Sequence, residues 1–225
     1  MKFLVIEGVD GSGKSTQIKL MRSFLEERNI PFKYLHFPRT EQGIYGDLIA
    51  RFLRGDLGDL NSVDPYLVAL IYAGDRRDAA PVIQEWLDAG YLVLLDRYVY
   101  SNIAFQCAKI RDIKGREALK DWIFNLEYQY HGIPKPDVNI LLNVPFSFTK
   151  NKLTAGRHGD ERNYLQGTRD IHEDDLDFQQ RVKDMYLWQA GMYSDLKIID
   201  CADDKGEMHA PDMIFEQIKK LVNLK

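Results

Sequence analysis

The sequence has little cysteine, no long uncharged hydrophobic run and no surplus of positive charge, and each shortage removes a class of protein. Only Cys107 and Cys201 occur among 225 residues, far apart and without the spacing of metal ligands. Two such thiols fit a reducing compartment and exclude a disulfide scaffold. No uncharged segment approaches the length of a membrane span, and the apolar run Phe3 to Ile6 is cut short by Glu7. A secretory signal needs a longer stretch, so the expectation is a soluble, cytoplasmic protein with no membrane partner. Lys and Arg total 30 against 34 Asp and Glu, a formal charge of −4. That balance excludes a general electrostatic grip on a nucleic-acid polymer, although a few converging Arg would still hold a small anion. None of His36, His131, His158, His172 and His209 sits in a metal-like cluster of the sequence, and no internal repeat or low-complexity linker is present.

What is present reads as an alternation of strand and helix. Phe3 to Ile6, Phe32 to His36, Leu92 to Leu95, Val138 to Leu142 and Lys197 to Ile199 are short apolar runs of the kind buried on both faces. Between the first two, Ile18, Met21 and Leu25 keep helical spacing until Asn29 and Pro31 stop it. Pro65 to Ala89 predicts two helices broken near Pro81, and Gly115 to Tyr130, Asp175 to Tyr193 and Pro211 to Leu224 predict three more. Five such alternations imply an α/β protein, a parallel sheet between two helix layers. The whole chain, 1–225, reads as one domain, with the polar and charged segment of about 154–174 as a mobile lid.

The strongest local signal is Gly8-Val9-Asp10-Gly11-Ser12-Gly13-Lys14-Ser15, which follows the first strand and opens the first helix. It matches the phosphate-binding loop, Gly, four residues, Gly-Lys-Ser/Thr, in the setting that motif requires. The glycines let consecutive N–H groups face inward, and the helix N-terminus adds positive potential, making a nest for nucleotide phosphates. Lys14 would neutralise the β- and γ-phosphates, Ser15 would ligate Mg²⁺, and Thr16 would neighbour the α-phosphate. By average residue frequencies the pattern arises by chance in roughly one chain of this length per hundred. The fold class is therefore a P-loop NTPase-type three-layer α/β/α sandwich around a five-stranded parallel sheet.

A phosphate cradle serves switch GTPases, motor ATPases and small-molecule kinases alike. A guanine-reading Asn-Lys-x-Asp is missing, since Asn151-Lys152 runs into Leu153 and Thr154. In place of the Asp-Glu pair of motor ATPases, the third strand ends in Asp96-Arg97-Tyr98. Asp96 at the end of a central strand is placed to organise Mg²⁺ through water, and Arg97 offers a fork for phosphate.

The run Leu94-Leu95-Asp96-Arg97-Tyr98-x-x-Ser101-Asn102-x-Ala104-Phe105-Gln106 resembles the signature of thymidylate kinases. So do Glu7 before the P-loop, Phe37-Pro38-Arg39, Tyr72-x-x-Asp75-Arg76, and Pro136-Asp137 before the fourth strand. These pieces occur in family order over residues 2 to 145. The resemblance implies ATP as donor and dTMP as acceptor, with Mg²⁺ as cofactor and a homodimer as assembly. It implies that Arg39 and Arg97 hold the acceptor phosphate, and that Asp10 faces the deoxyribose 3′-hydroxyl. Tyr72 would stack on thymine and Arg76 would bond a ring oxygen, while Asn102 and Phe105 line the base and sugar pocket. Phe37 shapes that pocket, and a cis bond to Pro38 is compatible with the turn. On the residues alone, Arg76 within Asp75-Arg76-Arg77-Asp78 also fits an ordinary helical ion-pair face, Tyr72 a core aromatic, and Phe37-Pro38 a simple turn.

Some members of that family carry an Arg in the P-loop that reaches the donor phosphates, where this chain has Gly11. The missing charge is then expected from the lid, from Arg157 or Arg162. The remaining alternatives are another nucleoside or deoxynucleotide kinase of this fold and a nucleotide-dependent switch.

Overall fold

The apolar runs assemble in the centre of a sheet because only there are both faces of a strand covered. The computed structural model describes residues 2–155, 164, 165, 167 and 170–223. Five strands, β1 (Phe3–Glu7), β2 (Phe32–His36), β3 (Leu92–Asp96), β4 (Val138–Asn143) and β5 (Leu196–Asp200), pair in parallel in the order β2-β3-β1-β4-β5. Among the described residues, eight α-helices join them: α1 (Lys14–Glu27), α2 (Gly43–Leu53), α3 (Pro65–Asp88), α4 (Val99–Cys107), α5 (Ile113–Phe124), α6 (Phe146–Thr154), α7 (Leu176–Ala190) and α8 (Pro211–Leu221). Helix α1 packs with α8, whereas α3, α4, α5 and α7 pack among themselves, so the sheet lies between two helical layers.

Burial follows sheet position. The inner strands β1 and β3 are buried along their full length, while the edge strands β2 and β5 are partly exposed. The Asp137 carboxylate, just before β4, accepts from the N–H groups of Lys2 at 2.6 Å and Phe3 at 2.9 Å, which fixes where β1 begins. At the other end of the sheet, β1 and β3 finish level with one another, Ile6 opposite Asp96. The two loops that follow them therefore start side by side, at the edge where parallel sheets bind ligands.

The break expected near Pro81 does not occur. Helix α3 runs unbroken from Pro65 to Asp88, started by Pro65 in the first turn and by the Asp64 side chain accepting from Tyr66 N at 2.8 Å. Pro81 lies on the exposed side and so does Arg77, so the carbonyl that loses its helical partner faces water. Helices α2, α4 and α6 were not anticipated. All nine residues of α4 are buried, so that helix lacks the polar face on which helical periodicity depends. The helix expected to reach Tyr130 closes as α5 at Phe124 and passes into a π-helical turn, Asn125–Tyr130.

The segment expected to form a mobile lid falls mostly outside the described residues, and Arg157, Arg162 and Arg169 fall there with it. Among the described residues, no helix is long and apolar enough to cross a membrane.

Gly46 on α2 stands against the backbone carbonyl of Arg39, where a Cβ would collide. Gly46→Ala is expected to destabilise the fold by about 1–3 kcal/mol through overpacking, outweighing the gain in helix propensity of about 1 kcal/mol. Urea unfolding of both proteins measures the difference.

Candidate active site

The P-loop takes the shape its glycines allow. Gly11 (φ 75°) and Gly13 (φ 88°) adopt left-handed backbone, and Gly13 caps α1. Asp10, Gly11, Ser12, Gly13, Lys14, Ser15 and Thr16 line a cavity of about 700 Å³, within the range of small-molecule sites. Gly8 and Val9 are not on its lining. Their carbonyls accept from Lys14 Nζ at 3.2 and 2.9 Å, so the lysine curls over its own loop.

Arg97 directly follows β3 and also has left-handed backbone, φ 67°, a strained state for a residue with a side chain. The strain is held by Glu7, which is fully buried and accepts from the N–H groups of Tyr98 at 2.9 Å and Ser101 at 3.3 Å. Glu7 also accepts from the hydroxyls of Ser101 at 2.5 Å and Tyr186 at 3.0 Å. The Arg97 guanidinium is thereby aimed across the sheet edge, with Nη2 2.8 Å from Asp10 Oδ1 and Nη1 3.2 Å from Ser101 Oγ. Burial alone would lower its pKa, but Asp10, Tyr186 and Asp96 raise it, so it stays a cation. Gln179 of α7 grips Asp10 from the other side, its Nε2 3.0 Å from Oδ2.

Asp96 is buried, with Oδ2 3.3 Å from His36 Nδ1 and with Oδ1 lacking any hydrogen-bond partner. Burial would raise its pKa, yet His36, Lys14 and Arg97 hold it below the ordinary carboxylate range. An ionised carboxylate with an unused oxygen and the solvent-facing hydroxyl of Ser15 are hard donors that fit Mg²⁺. Among the described residues there is no cluster of three or more His, Cys, Asp or Glu able to cage a metal.

The far end of the cavity is lined by Phe37, Tyr72, Arg76, Asn102 and Phe105, together with Arg97. The Phe37–Pro38 peptide bond is cis. Arg39 is the exception among the expected contacts. It is not on the lining, because Asp75 of α3 accepts from its N at 2.9 Å and its Nε at 2.8 Å, and its Nη2 donates to the Asp75 carbonyl at 2.7 Å. Arg76, the next residue, is only 2% exposed and pairs with buried Glu127. Arg76 is therefore not part of an ordinary helical ion-pair face: its partner is a buried carboxylate 51 residues away, and it lines the cavity. Cys107 is a buried thiol pushed up to about 12 by burial, unsuited to attack.

Several lining residues were not foreseen. Asp170 and His172 form a wall beside Phe105, with the His172 ring 5.0 Å from the Phe105 ring and 5.5 Å from Phe52. Lys152 of α6 lines the cavity too, its Cβ 3.2 Å from where a side chain on Gly11 would begin. At the opposite end, Cys201, Met208, His209 and Pro211 bring the β5–α8 connection to the P-loop side. Of these, Asp170 and His172 lie within the charged segment of about 154–174, and Lys152 just before it carries a charge, whereas Cys201, Met208, His209 and Pro211 carry no local pattern.

Asp170 also carries a pH signature. Burial, together with Asp10 and Glu173, pushes its carboxyl up to about 7, so the folded chain holds a proton that the unfolded chain releases near the ordinary aspartate value. Its stabilising contribution is fully present below about pH 4 and is lost as pH rises through about 7. Without nucleotide, Asp170→Asn is expected to flatten the decline in unfolding free energy across that window. One proton gives a slope of at most about 1.4 kcal/mol per pH unit, measurable by urea titrations at several pH values.

Comparison with known proteins agrees with this geometry. The family model described as "Thymidylate kinase" matches residues 6–211. The thymidylate kinase of Plasmodium falciparum is 35% identical over 155 residues, covering 69% of this chain and 67% of that protein. That of Mycobacterium tuberculosis is 34% identical over 184 residues, covering 81% and 83%. The solved thymidylate kinase of Candida albicans superimposes with a TM-score of 0.72 at 25% identity, over 99% of this chain and 91% of its own. With its P-loop, its Asp96-Arg97-Tyr98 turn and its base-sized pocket in one cleft, the chain belongs to the thymidylate kinase family.

Proposed function

We propose that the chain transfers the γ-phosphoryl group of ATP to dTMP, giving ADP and dTDP for deoxynucleotide biosynthesis. The observation that carries this reading is one cleft with two unlike ends. A phosphate cradle lies at one end, and a buried Arg76 beside Tyr72 and Asn102 lies at the other. A ligand spanning both must be anionic at the cradle and carry a hydrogen-bonding ring at its other tip.

The attacking atom is a phosphate oxygen of dTMP, already anionic near neutral pH, so no strong general base is needed. Catalysis consists of positioning and charge neutralisation. Lys14 leaves its loop carbonyls to take the β/γ-phosphates, and Arg97, preset by Glu7, meets the acceptor phosphate. Arg39 joins it by exchanging Asp75 for phosphate, and Asp10 accepts from the sugar 3′-hydroxyl. Phe105 closes the space a ribose 2′-hydroxyl would need. Ser15, and Asp96 through water, would hold Mg²⁺, which would supply charge neutralisation for the donor phosphates. Lys152, with Arg157 or Arg162 from the lid, supplies the cation that Gly11 does not. The donor base rests on the β5–α8 connection. Each charge-assisted contact is worth about 1.5–3 kcal/mol.

Lys14→Ala is expected to lower kcat about a hundredfold or more while leaving the KM for dTMP within a few fold. Coupled ADP release with ATP and Mg²⁺ against dTMP, dUMP, CMP, AMP and thymidine tests the whole reading. Failure of dTMP to accelerate release would overturn it. We further propose a cytoplasmic homodimer, supported by Leu67 and Leu70, which stand 57% and 43% exposed on α3. Light scattering is expected to give twice the chain mass.

A further inference from the structure

Glu127 lies in no motif, yet it is completely buried behind the base end of the cleft. The π-helical turn Asn125–Tyr130 packs against α3 and carries Glu127 to it. Wide turns of this kind recur at functional sites. Oε2 accepts from Arg76 Nε at 2.5 Å and Oε1 from Arg76 Nη2 at 2.7 Å. The same Oε1 accepts from Asn102 Nδ2 at 3.0 Å, and that Nδ2 also donates to the Ala69 carbonyl at 3.1 Å.

The consequence is a fixed polarity. A carboxylate bound side-on by a guanidinium is an acceptor at both oxygens, so Arg76 and Asn102 must both turn donors toward it. With two acceptors facing one end of the Asn102 amide, that end is the NH₂. Its Oδ1 is left buried, without a partner, on a residue that lines the cleft. Arg76 has spent Nε and one Nη2 hydrogen, and its Nη1 remains to donate. The two atoms left over are a donor, Arg76 Nη1, and an acceptor, Asn102 Oδ1, on two residues that both line the cleft. Thymine and uracil present the complement, O4 beside N3–H. Cytosine presents an amino group beside a bare N3, wrong at both positions.

We propose that Glu127 is the positioning residue that sets the donor–acceptor polarity of the base pocket, and through it the choice of thymine over cytosine. The proposal rests on the reading of the cleft as a dTMP site. Glu127 touches no substrate and acts through Arg76 and Asn102. In E127Q, either placement of the new NH₂ group faces a donor of Arg76, and at the Oε1 position it also faces the Asn102 NH₂, so the side-on pair that sets these groups is broken.

The test is steady-state kinetics of the full chain and its variants with dTMP and dCMP, at saturating ATP and Mg²⁺. E127Q is expected to raise the KM for dTMP about tenfold or more and to narrow the dTMP to dCMP ratio of kcat/KM by a similar factor. The kcat with dTMP and the KM for ATP should stay within about threefold. E127D keeps an acceptor but shortens its reach, so it should raise the KM while preserving the ratio. An unchanged ratio in E127Q would overturn the proposal, as would a uniform loss of kcat for both acceptors. Should E127Q not fold, E127D decides alone, and a collapsed ratio there would overturn it. If the unsubstituted chain itself fails to prefer dTMP, the functional reading fails instead.

Discussion

The site depends on one carboxylate that never meets a ligand. Glu7 closes β1, and four donors from the β3–α4 turn and from α7 converge on it. Burial pushes its pKa up, and the hydrogen bonds from Ser101 and Tyr186, with the charge of Arg97, pull the other way. A carboxylate so deeply placed is tolerated only because each donor is supplied. It joins the P-loop strand to the turn that aims Arg97, and it reaches across the layer to α7, whose Gln179 steadies Asp10. The P-loop and Arg97 are thus registered to each other through the protein interior, independently of solvent-exposed contacts.

Around that anchor the cleft is organised by compensating charge. A chain of formal charge −4 offers no broad attraction for nucleotides, so the local arrangement has to supply it. Among the described residues, four buried or part-buried cations each have a partner: Lys14 with loop carbonyls, Arg97 with Asp10, Arg39 with Asp75 and Arg76 with Glu127. Two of these partners, Asp10 and Asp75, are themselves near the substrate path. Each pair keeps a cation from standing bare in a partly dry site.

How much of this the sequence carried depends on range. The strands were legible because each is a continuous apolar run, and the P-loop because its parts are contiguous. The acceptor pocket was legible only through family likeness, since Phe37, Tyr72, Arg76, Asn102 and Phe105 are brought together by the fold. Glu127 is 51 residues from Arg76 and Tyr186 is 179 from Glu7, and neither carries a local pattern. The uninterrupted α3 was missed because Pro81 was weighed as a breaker without knowing that it faces water. Helix α4 was missed because complete burial erases its periodicity. The lid was recognisable as polar and charged, but Arg157 and Arg162 lie outside the described residues, so their places in the site are not among these observations.

The meeting of α2 and α3 has a geometric consequence. Gly74 leaves room for the Tyr45 ring, and Gly46 lets the Arg39 backbone come close, so the two helices are locked at short range. On α3, Asp75 grips Arg39 and its immediate neighbour Arg76 faces the base end. One peptide bond therefore joins the residue that holds Arg39 to the residue that pairs with Glu127. Helix α3 thus carries two ion pairs on adjacent residues, and a shift of that helix moves both together.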